Sequence, residues 1–192
     1  MSALSDNKLI IITAPSGSGK SSIVAHLLNA IPNLKFSVSA CTRAPRPNEV
    51  DGIHYHFMSP NDFEAKIQHD EFAEYEMVYP GKYYGTLKSE LTSSWANQQI
   101  PIVDIDVQGA LRLMKNYGSQ ALSIFISTPS IEELRNRLVK RGTETPESLE
   151  ERVQKAKEEI QYAPQFHVQI VNDQLAKACE ETTNCILDFI AR

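Results

Sequence analysis

The sequence predicts an α/β fold in which a parallel sheet is flanked by helices. Three observations carry that prediction. Apolar runs at 8–13, 100–106, 122–127 and 167–171 alternate with helix-length amphipathic segments, the rhythm of strand–helix units. The first run leads into a small-residue loop ending in Lys-Ser, the pattern of a phosphate-binding loop. The chain has 192 residues, 42% of them hydrophobic and 22% charged, enough for one domain with a core of its own.

Leu9-Ile10-Ile11-Ile12 is a continuous apolar run, as a strand buried on both faces requires. The loop after it reads Ala14-Pro15-Ser16-Gly17-Ser18-Gly19-Lys20-Ser21-Ser22, with Ala where the strict pattern has Gly. Gly17 and Gly19 open backbone conformations closed to other residues. Successive N–H groups can then converge on phosphate oxygens at the positive end of the next helix. Lys20 is placed to reach the β- and γ-phosphates of a nucleoside triphosphate, and the Ser21 hydroxyl to bind Mg²⁺. A Gly/Ser-rich turn with a chance lysine is the alternative. The preceding strand, both glycines, the Lys-Ser pair and the following helix favour nucleotide binding.

The first helix runs to about residue 30, with Ile23, Val24, Leu27 and Leu28 on one side, and Pro32 ends it. A strand is expected at 36–40. Cys41-Thr42-Arg43-Ala44-Pro45-Arg46-Pro47-Asn48 is a stiff loop holding two arginines. Residues 51–58 alternate like a strand. Ser59 caps a short helix with Pro60 in its first turn and Asp62 at the third position. A strand at 74–78 and a turn at Pro80-Gly81 lead into Lys82-Tyr83-Tyr84-Gly85-Thr86. Residues 36 to about 90 therefore form a small mixed-strand insertion.

The α/β rhythm then resumes with a helix at 87–97 and a strand at 100–106 whose Asp104 and Asp106 fall at its carboxyl end. A helix at 108–116 and a strand at 122–127 follow. Ser130 caps the next helix, with Glu133 at the reciprocal position of a capping box, and Gly142 ends it. Thr145-Pro146 opens a helix to about residue 161. The last strand is 167–171. The final helix carries Leu175, Ala178, Thr182, Ile186 and Phe189 at helical spacing.

The net charge of -5 argues against a general binder of nucleic-acid polymers. No apolar run approaches the roughly 18–20 residues that span a membrane. The first eight residues lack the layout of a signal peptide. The expectation is a cytosolic protein with no membrane partner. Three cysteines provide no disulfide framework. Cys179 and Cys185 fall about 240° apart around one helix, so they read as small core residues rather than shared metal ligands. His54-x-His56 has no third ligand in view and reads as strand residues.

Ligands of such sheets sit at the carboxyl ends of the strands, so the loop and Asp104/Asp106 address one edge. Two arginine groups accompany Lys20. Arg43 and Arg46 flank the proline loop, with Tyr55 and Tyr84 as hydroxyl donors. Arg137, Arg141 and Arg152 surround the turn Arg141-Gly142-Thr143-Glu144-Thr145. Guanidinium groups suit phosphates, and two sets point to two phosphate-bearing substrates, a donor and an acceptor. The helical arginines also read as a solvated face beside Glu144, Glu147, Glu150 and Glu151. Asp104 and Asp106, on alternate positions, share one face. They read either as help for Mg²⁺ or as a polar strand end.

In chain order, the phosphate loop is followed by Phe36-Ser37-Val38-Ser39-Ala40-Cys41-Thr42-Arg43-Ala44-Pro45-Arg46-Pro47, Asp51-Gly52-Ile53-His54-Tyr55, Glu71-Phe72-Ala73-Glu74 and Tyr83-Tyr84-Gly85-Thr86. Then come Asp104-Ile105-Asp106-Val107-Gln108-Gly109, Arg137-Leu138 with Arg141-Gly142-Thr143, and Ile170-Val171-Asn172-Asp173. This series covers nearly the whole chain and resembles the guanylate kinase family. The resemblance implies the P-loop nucleoside monophosphate kinase fold. Its core would be about 1–35, 98–136 and 162–192, its GMP-binding subdomain about 36–97 and its helical lid about 137–161.

The activity implied is transfer of the ATP γ-phosphate to GMP or dGMP, with Mg²⁺, giving ADP and GDP or dGDP. Residues 14–22 would bind ATP, with Ser21 on the metal. Arg43, Arg46, Tyr55 and Tyr84 would hold the GMP phosphate. Ser39, Glu74, Thr86 and Asp106 would read guanine. A carboxylate such as Glu74 offers two acceptors to guanine N1–H and the 2-amino group, and a Ser39 or Thr86 hydroxyl can donate to O6. Lys20, Arg137, Arg141 and Arg152 would neutralise the transferring phosphoryl group, and Asp104 would support the arginine and metal arrangement.

Cys41 departs from the hydroxyl residue frequent in the family, and the segment 79–82 is slightly longer than in some relatives. Two other readings are a peptide-binding scaffold module of the same fold and a kinase for another acceptor. The intact loop and lid arginines, the guanine-reading set and a chain with no room for neighbouring modules favour the enzyme, with no obligate protein partner.

Overall fold

The computed structural model describes residues 7–79, 81–142 and 145–192. The leader reading at the start of the chain, Pro80 of the expected turn, and Thr143 and Glu144 of the arginine turn lie outside the described residues. The elements are β1 (Leu9–Thr13), α1 (Lys20–Ala30), β2 (Leu34–Phe36), β3 (Ala40–Cys41), β4 (His56–Phe57), α2 (Pro60–Gln68), β5 (Phe72–Tyr79), β6 (Lys82–Leu87) and α3 (Lys88–Ala96). They continue with β7 (Ile100–Asp104), α4 (Val107–Tyr117), β8 (Ala121–Ser127), α5 (Ile131–Arg141), α6 (Pro146–Ile160), β9 (Val168–Val171) and α7 (Leu175–Ala191). The fold is α/β, with parallel strands flanked by helices, as the alternation predicts.

The chain divides into two compact units. One comprises residues 10–32, 104–107 and 122–192. In it β1, β8 and β9 are neighbours in that order, with β8 and β9 parallel. All five residues of β1 are buried, as are the first six of β8. Such strands have no solvent face, which is why they read as unbroken apolar runs. Helix α1 buries Ile23, Val24 and Leu27. Helix α7 buries Ala178, Cys179, Thr182 and Ile186, whereas Leu175 is exposed. The Thr182 hydroxyl donates to the Ala178 carbonyl at 2.6 Å, so its burial leaves no orphan group. Leu134, Leu138, Val153 and Ala156 join α5 to α6.

The Ser130 cap forms, its oxygen accepting from Glu133 N at 3.1 Å. Glu133 does not close the capping box, because its carboxylate accepts from Arg137 Nε at 2.7 Å. Glu132, in the same first turn, has its pKa lowered by its own helix-terminal amide and by the nearby Ser130 hydroxyl.

The other unit comprises residues 33–103, 108–121 and the described residues up to Leu9. Here β2 runs parallel to β7, and a four-stranded sheet has the order β4-β3-β6-β5. The strand expected at 36–40 is two strands. Ser37 N still donates to the Ile102 carbonyl at 3.0 Å, but Val38 N donates to the Glu90 carboxylate at 3.2 Å. A side chain thus replaces the ladder, and the chain leaves one sheet to enter another at Ala40. The strand expected at 51–58 is reduced to β4. Gly52, at φ +74°, turns the chain, and an isolated bridge pairs Asp51 with Tyr55. His54 therefore sits in a turn, where Nδ1 accepts from Val50 N at 3.0 Å, while His56 lies in the strand and meets Glu90 at 2.8 Å. The core of this sheet is Ala40, Phe63, Phe72 and Leu87, with the Phe63 and Phe72 rings stacked at 4.3 Å. The Ser59 cap and its Asp62 partner form as expected, at 2.6 and 3.1 Å.

Candidate active site

The phosphate loop lies between a buried strand and α1. Gly17 and Gly19 have φ of +92° and +87°, a region that favours glycine. Ala14 has no such φ, which is why Ala can stand there. Gly19 is the N-cap of α1 and provides no side-chain cap, so the helix opens on backbone N–H groups, the arrangement that suits an anion. The loop is braced from two sides. Asn172 Nδ2 donates to the Ser18 carbonyl at 2.7 Å, fully inside the protein, and a Cβ on Gly19 would lie 2.3 Å from that nitrogen. A Cβ on Gly17 would lie 3.1 Å from Leu138 of α5. The residues 14–22 line a cavity of about 570 Å³ together with Arg137 and Arg141.

Lys20 forms an ion pair with Asp104. The strand expected to continue to residue 106 ends at Asp104, so the shared-face argument for Asp104 and Asp106 does not hold: Asp106 lies in the segment before α4. Arg152 Nη1 donates to Ser16 Oγ at 2.8 Å, tying α6 to the loop. Arg135 pairs with Glu150 across α5 and α6. The solvated-face reading thus fits Arg135, while Arg137, Arg141 and Arg152 turn to the loop. Glu159 stands near Lys20, Lys155 and Asp106, and burial raises its pKa against the pull of the two lysines.

In the other unit Arg43 is held on three sides. Its guanidinium donates to both oxygens of Glu49 at 2.6 and 2.7 Å and lies 4.8 Å from the Tyr55 ring centroid and 5.5 Å from that of Phe57. Glu49 also accepts from Arg46 N at 2.8 Å. The carboxyl of Glu49 is held down to about 2, first by Arg43 and then by that amide. The Tyr84 phenol stands beside Arg43, whose charge lowers its pKa while burial, the larger effect, raises it, and its ring meets Tyr55 edge-on at 6.1 Å. Arg43, Tyr55 and Tyr84 are thus one cluster, and the Arg46 side chain is exposed beside it. Cys41 is buried in β3, which pushes its thiol pKa up.

Glu74 and Thr86 form a second cluster in the same unit. They are 6% and 0% exposed, and Thr86 Oγ1 donates to Glu74 Oε1 at 2.7 Å. Glu74 lines a cavity of about 630 Å³ with Phe72, Tyr75, Met77 and Arg112. Ser39 is half-buried in the irregular segment between β2 and β3, where its carbonyl accepts from His56 N at 2.9 Å.

The guanylate kinase family model matches residues 6–188. The chain belongs to the guanylate kinase family. It is accordingly a kinase, an enzyme of the phosphotransferase class. The guanylate kinase of Porphyromonas gingivalis is 50% identical over 186 residues, covering 96% of this chain and 99% of that protein. The guanylate kinase of Salinibacter ruber is 44% identical, covering 97% of this chain and 98% of its own. Among solved structures, the guanylate kinase from Anaplasma phagocytophilum superposes with a TM-score of 0.78 at 26% identity, over 96% of this chain and 87% of that one.

Within this guanylate kinase family chain, three site neighbours have no role assigned by the motifs. Glu49 is the acid embedded in the basic proline loop, and its position three residues after Arg46 was the available signal. Asn172 closes an apolar strand with a polar residue, a weaker signal. Glu159 carries none, because its burial arises only from tertiary packing.

Proposed function

We propose that this enzyme transfers the γ-phosphoryl group of ATP to GMP, and also to dGMP, giving ADP and the nucleoside diphosphate. The observation that carries the reading is the buried Glu74 carboxylate with Thr86 beside it. A carboxylate there accepts from guanine N1–H and the 2-amino group, whereas adenine has neither of these donors to offer it. A site built on such hydrogen bonds rejects the wrong base by roughly 10⁴-fold. Ser39 and Asp106 complete base recognition. Arg43, Arg46, Tyr55 and Tyr84 take the acceptor phosphate, for which the bidentate grip of Arg43 on Glu49 already displays the required geometry.

On the donor side, residues 14–22 bind the ATP phosphates through backbone N–H groups. Lys20, Arg137, Arg141 and Arg152 neutralise charge as the phosphoryl group moves. Phosphoryl transfer asks for this positioning and electrostatic stabilisation rather than covalent chemistry. Asp104 acts through Lys20, fixing its ammonium. The exposed Ser21 hydroxyl at the second position of α1 is a hard oxygen donor, and Mg²⁺ needs only one or two such protein ligands beside phosphate oxygens and water. The donor set therefore fits Mg²⁺, which when bound supplies charge neutralisation on the β- and γ-phosphates. We read residues 36–97 as the acceptor-binding subdomain and 137–161 as the lid. No helix among the described residues is long and apolar enough to cross a membrane. The proposed compartment is the cytosol, and no obligate protein partner is invoked.

The test is ADP production with GMP, dGMP, AMP, CMP, UMP and dTMP as acceptors. The reading expects turnover with the two guanine nucleotides. Equal turnover with AMP would overturn it.

A further inference from the structure

We propose that Arg112 and Asn116 are positioning residues for acceptor recognition: from α4 they hold the two backbone carbonyls on either side of Glu74 and so fix where its carboxylate stands. The inference rests on the reading of Glu74 as the guanine-binding carboxylate.

Strand β5 is an edge strand of the four-stranded sheet. Its pairing with β6 slips by one residue at its start: Phe72 faces Leu87 and Glu74 faces Thr86, with Ala73 between them. This is a β-bulge, which bends a strand locally and re-aims its side chains. Here it sets Glu74 directly across from the Thr86 hydroxyl that donates to it. The bulge is tight. A Cβ on Gly85 would lie 2.8 Å from the Glu74 carbonyl oxygen and 2.9 Å from the Phe72 ring.

A bulged edge also has outward carbonyls that no neighbouring strand can take. Helix α4 takes them with side chains. Asn116 Nδ2 donates to the Ala73 carbonyl at 3.2 Å. Arg112 Nη1 donates to the Tyr75 carbonyl, and its other terminal nitrogen pairs with Glu76. Four residues apart, the two donors share one face of the helix. Glu74 is the single residue between the carbonyls they hold. Both side chains belong to exposed residues, so their removal leaves the buried core of the sheet intact.

The test is acceptor kinetics on the full chain with Arg112→Ala, Arg112→Lys, Asn116→Asp and Glu74→Gln. Asn116→Asp keeps the shape but cannot donate to the Ala73 carbonyl. Loss of either donor is expected to raise KM for GMP about tenfold and to lower the GMP/AMP selectivity by a similar factor, the scale of one hydrogen bond. The kcat and the KM for ATP should stay within about twofold, and Arg112→Lys, which retains a cationic donor nitrogen, should recover most of the loss. In the Glu74→Gln background the same substitutions should add little, since they act through that residue. If Glu74→Gln loses selectivity while Arg112→Ala and Asn116→Asp keep the KM for GMP unchanged, the positioning role is wrong and the Glu74 assignment stands. If Glu74→Gln itself keeps full selectivity, the Glu74 assignment fails and the inference falls with it. A parallel loss in KM for ATP and in kcat would mean general loosening, and would also overturn it.

Discussion

Lys20 and Asp104 form an ion pair in which the side chains are 22% and 21% exposed. The lysine opens α1 and the carboxylate closes β7. An ammonium on a flexible stem is thereby held beside the phosphate loop. Lys20→Ala is expected to lower kcat by roughly 10²–10³-fold, the scale of one lost electrostatic stabiliser of a transition state, with KM for GMP changed by less than about threefold. Asp104→Asn, which loosens the lysine without removing it, should cost about tenfold in kcat, as for one charged hydrogen bond. Steady-state ADP production measures both, and full turnover in Lys20→Ala would refute its role.

Glu49 grips Arg43 and so orients the guanidinium assigned to the acceptor phosphate. Its carboxyl is held at about 2 by Arg43 and the Arg46 amide, below the value near 4.3 of an unfolded glutamate. The stability it contributes is therefore fully present above about pH 4.3, shrinks as the pH falls, and is gone below about pH 2. Melting temperatures of the wild type and Glu49→Gln should differ by a constant amount from pH 7 to about 5 and converge toward pH 2. A difference independent of pH would contradict the pairing. At pH 7, Glu49→Gln should also raise KM for GMP, because Arg43 loses the partner that orients it.

Gly19→Ala meets two obstacles, a φ of +87° and the Asn172 amide 2.3 Å from the new Cβ. Strain of this kind costs about 1–3 kcal/mol. The expected outcome is a lower melting temperature and a KM for ATP raised about tenfold or more, with KM for GMP little changed. Asn172→Ala leaves the Ser18 carbonyl unpaired in a buried setting, a loss of about 1–3 kcal/mol, and denaturant titration would read it. An Asn172→Ala midpoint equal to wild type would remove Asn172 from the account of the loop.

The parts of this molecule legible in its sequence are those specified locally. The run at Leu9 and the loop after it carry their own geometry in glycine positions, and the caps at Ser59, Ser130 and Thr145 need only their immediate neighbours. The break between β2 and β3 was hidden because Glu90, more than fifty residues away, takes the Val38 amide that a continuous strand would use. The 51–58 segment alternates as a strand does, yet Gly52 turns it before pairing begins. In the site, residue types announce phosphate chemistry but not their pairing: Asp104 on Lys20 and Arg152 on Ser16 are tertiary facts, while Glu49 on Arg43 is a contact within one loop. The bulge that aims Glu74 is likewise invisible in Glu71-Phe72-Ala73-Glu74, since it depends on Gly85 in the facing strand and on donors from α4.

The central claim is that a buried carboxylate selects the base of the acceptor. It is tested most directly by the ratio of kcat/KM for GMP to that for AMP in the wild type and in Glu74→Gln. Guanine recognition through Glu74 predicts a wild-type ratio on the order of 10⁴. The amide, with one acceptor and an added donor, should reduce that ratio roughly 10- to 100-fold, the worth of a hydrogen bond to a charged group. A ratio unchanged by Glu74→Gln would contradict the claim.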